Sequence, residues 1–214
     1  MTAVDMKKAP RPTVGRGPYF LITLAVVVLG WVIAAVNTGV SYLALDLVAV
    51  PIVTGLIGCL GFVIVLRFLH CAWWLAALSA LPALLVLVGS VQYAPEAVLD
   101  GRGVRETARI TADSAATSGS SHHRFTLEGR LGEFEETLDY DGDNPDWAVG
   151  DRVEVISDPK GVVPMAAASD VDPGDRLAML VAGAVGWTCL TLLAGLRGFV
   201  RRRAGRRPVF DSLD

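Results

Sequence analysis

Four stretches of this chain, residues 19–36, 47–66, 72–91 and 177–196, contain no Asp, Glu, Lys, Arg or His. Each is close to the roughly 20 residues that an α-helix needs to cross the hydrocarbon of a bilayer. Helices of that length in a water-soluble domain carry a polar face, and these stretches have almost nothing to build one from. A soluble fold with all four buried is the competing account. It fails for want of other helical material to cover them in a chain of 214 residues. The expectation is therefore four transmembrane helices.

A cleaved signal peptide would also explain the first run, since Lys7, Lys8, Arg11 and Arg16 form a basic flank. The run exceeds the apolar core of about 7–15 residues typical of such peptides. Its exit, AAVNTGV, also has no A-x-A cleavage site. An uncleaved first helix is expected.

Orientation follows from Lys and Arg in the flanks. Bases precede the first run, Arg67 sits in the turn between the second and third, and Arg197, Arg201, Arg202, Arg203, Arg206 and Arg207 follow the fourth. The turn between the first and second runs has none, and Arg176 is a lone base among acids. An even number of spans brings the basic flanks to one side, which the positive-inside rule makes the cytoplasm. The reading is a multi-pass protein of the cell membrane with both termini cytoplasmic. Arg201, Arg202, Arg203, Arg206 and Arg207 would fix that topology and touch anionic lipid headgroups.

The organisation expected is a disordered basic tail (1–18), three transmembrane helices (19–91), an extracytoplasmic domain (92–175), a fourth helix (176–197) and a second basic tail (198–214). Residues 92–175 hold 18 acidic and 7 basic residues, a formal charge of −11, against +8 for the rest of the chain. A piece so acidic repels nucleic acid and anionic headgroups, so nucleic acid is not an expected partner; cations and basic proteins are permitted. It has no cysteine, hence no disulfide, and the three cysteines of the chain, Cys59, Cys71 and Cys189, show no metal-binding spacing.

Within the apolar runs, Pro82 should kink the third helix. Gly55, Gly58 and Gly61 of the second helix, and Ala182 and Gly186 (with Gly183) of the fourth, are small residues that let helices approach closely. The glycine strip is expected to meet another helix, the fourth being one candidate and a second copy of the chain another. The acidic piece alternates like β-structure. Val104, Ala108, Ile110 and Ala112 share a face; Phe125 and Leu127 alternate with Arg124, Thr126 and Glu128; Val153 and Val155 alternate with Arg152 and Glu154. SAATSGSSHH reads as a flexible loop and DGDNPD as a turn. Four or five short strands of this kind make a small β-barrel, OB-like in scale. The fold class is thus membrane α-helical with an inserted extracytoplasmic β-barrel domain.

The segment Gly150-Asp151-Arg152-Val153-Glu154-Val155-Ile156-Ser157-Asp158-Pro159 resembles the G-D-x-V-x-V-x-Y-D-P box of a bacterial membrane-protein family of unknown function. Members of that family insert a small β-domain between transmembrane helices, and the ETARI and FTLEG strands precede the box in the family's order. Ser157 stands where the family has Tyr. A fainter similarity is to NfeD-like membrane proteins, whose external domain is OB-like. Neither resemblance implies a catalytic residue or a cofactor. Read by itself, the box is structural: Gly150 for the turn, Val153 and Val155 inward, Asp158-Pro159 to end the strand.

Candidate chemistry is sparse. Asp139, Asp141, Asp143 and Asp146 crowd one turn, and hard cations want several oxygen ligands. The D-x-D-x-D spacing echoes an EF-hand loop, but Asn144 and Gly150 stand where that loop needs Gly and Glu. A solvated acidic turn is the simpler account. His122 and His123 are read as part of the solvated loop, since neighbours in sequence do not easily serve one metal. No nucleophile elbow, metalloprotease helix or phosphate loop is present, and the apolar runs hold no ionisable residue that would mark an ion path. The expectation is a non-enzymatic membrane protein, without cofactor, that displays its acidic domain as an interaction or accessory module for a membrane or envelope protein partner. The alternative is a cation- or ligand-sensing domain that relays binding through the third and fourth helices.

Overall fold

A computed structural model describes residues 16–70, 73–116, 120–142 and 146–203. The order is α1 (Arg16–Leu43), α2 (Ala49–His70), α3 (Trp73–Leu78), α4 (Ala80–Arg102), β1 (Val104–Asp113), β2 (His122–Gly129), β3 (Gly132–Glu133), β4 (Leu138–Asp141), β5 (Arg152–Ser157), β6 (Ala166–Ala167) and α5 (Pro173–Arg203). Four helical segments are long and apolar enough to cross a membrane: Tyr19–Leu43, Ala49–Arg67, Trp74–Arg102 and Pro173–Arg201. A separate antiparallel sheet lies between the third and the fourth.

The bundle buries Val26, Phe62, Leu66, Val86, Trp187 and Ala194, while Phe20, Ile57, Leu81 and Leu196 turn outward. Apolar side chains on both surfaces are what a bundle in an apolar solvent carries. Trp187 stacks on Phe62 with ring centroids 4.2 Å apart. The third apolar run is two helices, broken at Ser79, where a kink was expected. Pro82 has no N–H to close the turn that would bridge the two. At the break the Ser79 carbonyl accepts both the Ala83 N–H at 3.1 Å and Trp187 Nε1 at 3.3 Å.

All four long helices outrun their apolar stretches, α5 reaching from Pro173 to Arg203 and α2 on to His70. α1 continues past residue 36 to Leu43, with Thr38 and Ser41 each donating to the carbonyl four residues back. α4 continues past residue 91 to Arg102, through Glu96 and Asp100. Hydropathy marks where a helix is apolar, and polar or charged extensions carry no such mark. The sheet therefore begins at Val104, and the first part of segment 92–175 is helix.

The strand order is β3-β2-β1-β5-β6, with β4 pairing β2 beyond β3. Ala108, Ile110, Phe125, Leu127, Leu138, Val153 and Val155 fill one face, joined by Met165 and Ala167. The expected closed barrel is corrected to an open sheet, since no ladder joins β4 to β6. Two-residue β6 is too short to close the ring. At that seam the Glu136 carboxylate accepts the Met165 N–H at 2.9 Å, so a side chain stands where ladder hydrogen bonds would run. His122 and His123, read as loop, open β2 instead, opposite Asp141 and Tyr140.

Candidate functional site: the joint between sheet and helices

The sheet meets the bundle through a covered ion pair set in an apolar seam, with a longer, exposed pair between Arg105 of β1 and Asp100 of α4 (3.9 Å) beside it. Arg102, in the last turn of α4, grips Asp158, which follows β5: Nε donates to Oδ1 at 3.0 Å and Nη2 to Oδ2 at 2.6 Å. The paired fork matches guanidinium to carboxylate geometry. Asp158 also accepts backbone N–H groups from Lys160 (3.1 Å), Val162 (3.1 Å) and Val163 (3.2 Å). Its side chain is fully covered, whereas that of Arg102 is 37% exposed. The Arg102 guanidinium, aided by the three N–H groups, outweighs burial and holds the carboxyl far below its ordinary value of 3.8.

The surrounding residues explain the geometry. Asp158-Pro159 is the end of the box, and the turn closes with the Gly161 N–H on the Asp158 carbonyl at 2.9 Å, Gly161 taking φ +61°. Opposite it, Leu99 of α4 packs with Ile156 and Val163, and Leu45 from the α1–α2 turn and Val171 ahead of α5 join them. A second clamp lies lower. Glu96 of α4 accepts Arg176 Nε at 2.7 Å and the Asp172 N–H at 3.1 Å. Both exits of the inserted domain are thus tied to α4.

Inside the bundle below the joint lies a hydrogen-bonded cluster. Asn37 Nδ2 donates to Ser90 Oγ at 2.8 Å, and Thr54 Oγ1 donates to Asn37 Oδ1 at 2.8 Å. Ser41 Oγ donates to the Ser90 carbonyl at 2.8 Å. Asn37, Ser41 and Ser90 are buried. Sequence reasoning looked for charges in the apolar runs and so passed over these neutral polar residues; the signal was Asn37, read as turn, and Ser90.

The small residues divide. Ideal side-chain carbons on Gly55 and Gly58 would strike Asn37 and Ile33 of α1, and Gly55 also meets Leu87 of α4; Gly61 has nothing within 4 Å. The nearest neighbours of Gly55 and Gly58 are thus on α1 and α4. On α5, Gly186 lies against Pro82, while Ala182 is exposed and Gly183 meets the Pro82 carbonyl and Val86 N–H. Gly89 faces the Leu180 N–H and the Arg176 carbonyl, so α4 and α5 touch backbone to backbone.

The acidic turn is dispersed. Asp139 and Asp141 share the exposed face of β4, Asp141 pairs with His122, and Asp146 is exposed; Asp143 lies outside the described residues. Among the described residues no three His, Cys, Asp or Glu side chains are placed to hold a metal ion. His123 is buried beside Asp113, Nδ1 to Oδ2 2.8 Å, and stacks on Phe125. Burial raises the Asp113 carboxyl, but the Ala115 N–H and His123 together hold it below its ordinary value. Of the basic tail, Arg201, Arg202 and Arg203 end α5, and Arg206 and Arg207 are outside the described residues. Arg197 sits over the Trp74 ring, 5.2 Å from its centroid.

What the joint can do is fix one orientation of the sheet on α4 and transmit a displacement of β5 to that helix. Comparisons of the chain with protein-family models, curated proteins and solved structures gave no match.

Proposed function

We propose that this chain is a four-span protein of the cell membrane, both termini cytoplasmic, that presents its acidic sheet outside as an interaction or accessory module for an envelope or membrane protein. The clamp between Arg102 and Asp158 carries this reading. A domain on a loose tether has no need of a covered, five-times hydrogen-bonded carboxylate at its root; a surface that must face a partner in one orientation does. The basic C-terminal arginines then anchor the cytoplasmic side on anionic lipid. The test is photo-crosslinking in intact cells from exposed Glu135, with Ser120→Cys labelled by a membrane-impermeant thiol reagent as the topology arm. One recurrent crosslinked protein together with labelling from outside is expected. Only random neighbours, or no labelling until cells are broken, refutes the reading.

One observation favours a second reading, a ligand-sensing relay. Asp158 ties β5 to α4, and Glu96 ties α4 to the start of α5, so sheet movement has a continuous route to both helices. In that case replacing Asp141, Asp143 and Asp146 with Asn alters a ligand-dependent readout; a triple variant that behaves as the parent ends this reading.

A further inference from the structure

Outside the joint, the strongest charge pattern crosses the outer face of the sheet. Arg152 of β5 stands directly opposite Arg109 of β1, Arg109 opposite Glu128 of β2, and Glu128 opposite Glu133 of β3. Residues opposite one another in antiparallel ladders project to the same face. The row therefore reads Arg, Arg, Glu, Glu. All four are exposed, and none makes an ion pair with a described residue, although Arg109 and Glu128 are neighbours. Like charges directly opposite destabilise a ladder, and this row holds two such pairs side by side. The row lies away from the corner of this face at Ile156, which the joint covers.

A row sorted into a basic half and an acidic half is self-complementary. A twofold axis between β1 and β2 sets Arg109 against the second copy's Glu128 and Arg152 against the second copy's Glu133, and each the other way round. Two chains inserted in one membrane with the same orientation can be related by a twofold only along the membrane normal. Such a pairing therefore sets β1 and β2 along the membrane normal; β1 leaves the end of α4 with only Gly103 between. We propose that this face of the sheet is the contact between two copies of the chain. The dimer does not depend on which side of the membrane carries the sheet, nor on an envelope partner.

The test uses the full chain in lipid vesicles. Thr107 is exposed on the same face as Arg109, close to the axis, and Thr107→Cys reports contact as an oxidant-induced disulfide between copies. The chain without that substitution gives the background from its native cysteines. Efficient crosslinking that weakens as salt rises is expected. Four attractive pairs become repulsive in either double variant, Arg109→Glu with Arg152→Glu, or Glu128→Arg with Glu133→Arg, so each should lower the yield about tenfold or more. Mixing the two doubles one to one should recover crosslinking between them, and the quadruple swap, whose row reads Glu, Glu, Arg, Arg, should recover it within one species. Recovery in the mixture separates lost complementarity from lost folding. The proposal is overturned if the parent crosslinks no better than background, if the doubles crosslink like the parent, or if neither mixture nor quadruple recovers.

Discussion

Arg102 and Asp158 are 56 positions apart in sequence and closed on each other by two hydrogen bonds where the last turn of α4 meets the end of β5. The pair is asymmetric. The carboxylate is covered and the guanidinium reaches water. Asp158→Ala would leave three backbone N–H groups without their acceptor, and a buried unsatisfied donor is costly. We expect it to destabilise the sheet by about 3 kcal/mol. Arg102→Gln leaves those three bonds intact but takes the counter-charge from a covered carboxylate; with the guanidinium partly in water it should cost about 2 kcal/mol. Limited trypsin digestion of the full chain in detergent, cutting at Arg124 and Arg130, reads both; equal resistance in the two variants would contradict this ranking.

Acid should act at the same place. Asp158 is held far below its ordinary value of 3.8 by Arg102 and the loop N–H groups. Asp113 is also held low, burial being outweighed by the Ala115 N–H and His123. A carboxyl whose folded value is depressed adds stability that is fully present above its unfolded value. That stability drains as pH falls through the folded value. Protease resistance of the sheet should therefore hold from neutrality to about pH 4–5 and decline below it. In Asp158→Asn the decline should be shallower. An identical acid limb in that variant would show that Asp158 does not set it.

The helices and most strands were legible because their signals are local. Charge-free runs mark spans, and alternation placed Val153 and Val155 on the buried face of β5. The joint was not legible. Nothing near Asp158 in sequence distinguishes it from any Asp-Pro turn, since its partner lies on a helix whose charged end hydropathy cannot see. The open seam was hidden for a related reason: strand count predicts closure, but closure needs two long edges, and β6 has two residues. His122 and His123 look like the end of a polar loop until β4 is placed beside them. Of the small residues, Gly55, Gly58 and Gly186 lie against other helices while Gly61 and Ala182 do not, because small residues permit close approach and do not select a neighbour.

Close approach of α4 and α5 makes a sharp prediction. Side chains built at Gly89 and Gly183 would lie 2.6 Å and 2.7 Å from backbone atoms of the other helix, which cannot swing away. Gly89→Leu or Gly183→Leu should each lower stability by about 3 kcal/mol. Gly61→Leu, with nothing within 4 Å, should be close to neutral. Thermal unfolding of the purified chain in one detergent compares all three, and a neutral Gly183→Leu would mean that the helices sit farther apart.

The cluster at Asn37 should contribute less than its bond count suggests. Asn37 joins α1 to Ser90 of α4 and to Thr54 of α2. In hydrocarbon the separated helices also find internal partners for such groups, so an interhelical hydrogen bond is worth about 0.6 kcal/mol on average and under about 2. Asn37→Leu keeps the volume but forfeits both bonds. Ser90 Oγ still donates to the Leu87 carbonyl at 3.1 Å and Thr54 Oγ1 to the Val50 carbonyl at 3.0 Å, so neither hydroxyl is stranded. The expected cost is therefore about 1 kcal/mol, and Ser90→Ala added to Asn37→Leu should cost almost nothing further. Thermal unfolding of the two single variants and the double closes this cycle. Additive losses would show that Ser90 matters to the bundle through something other than Asn37.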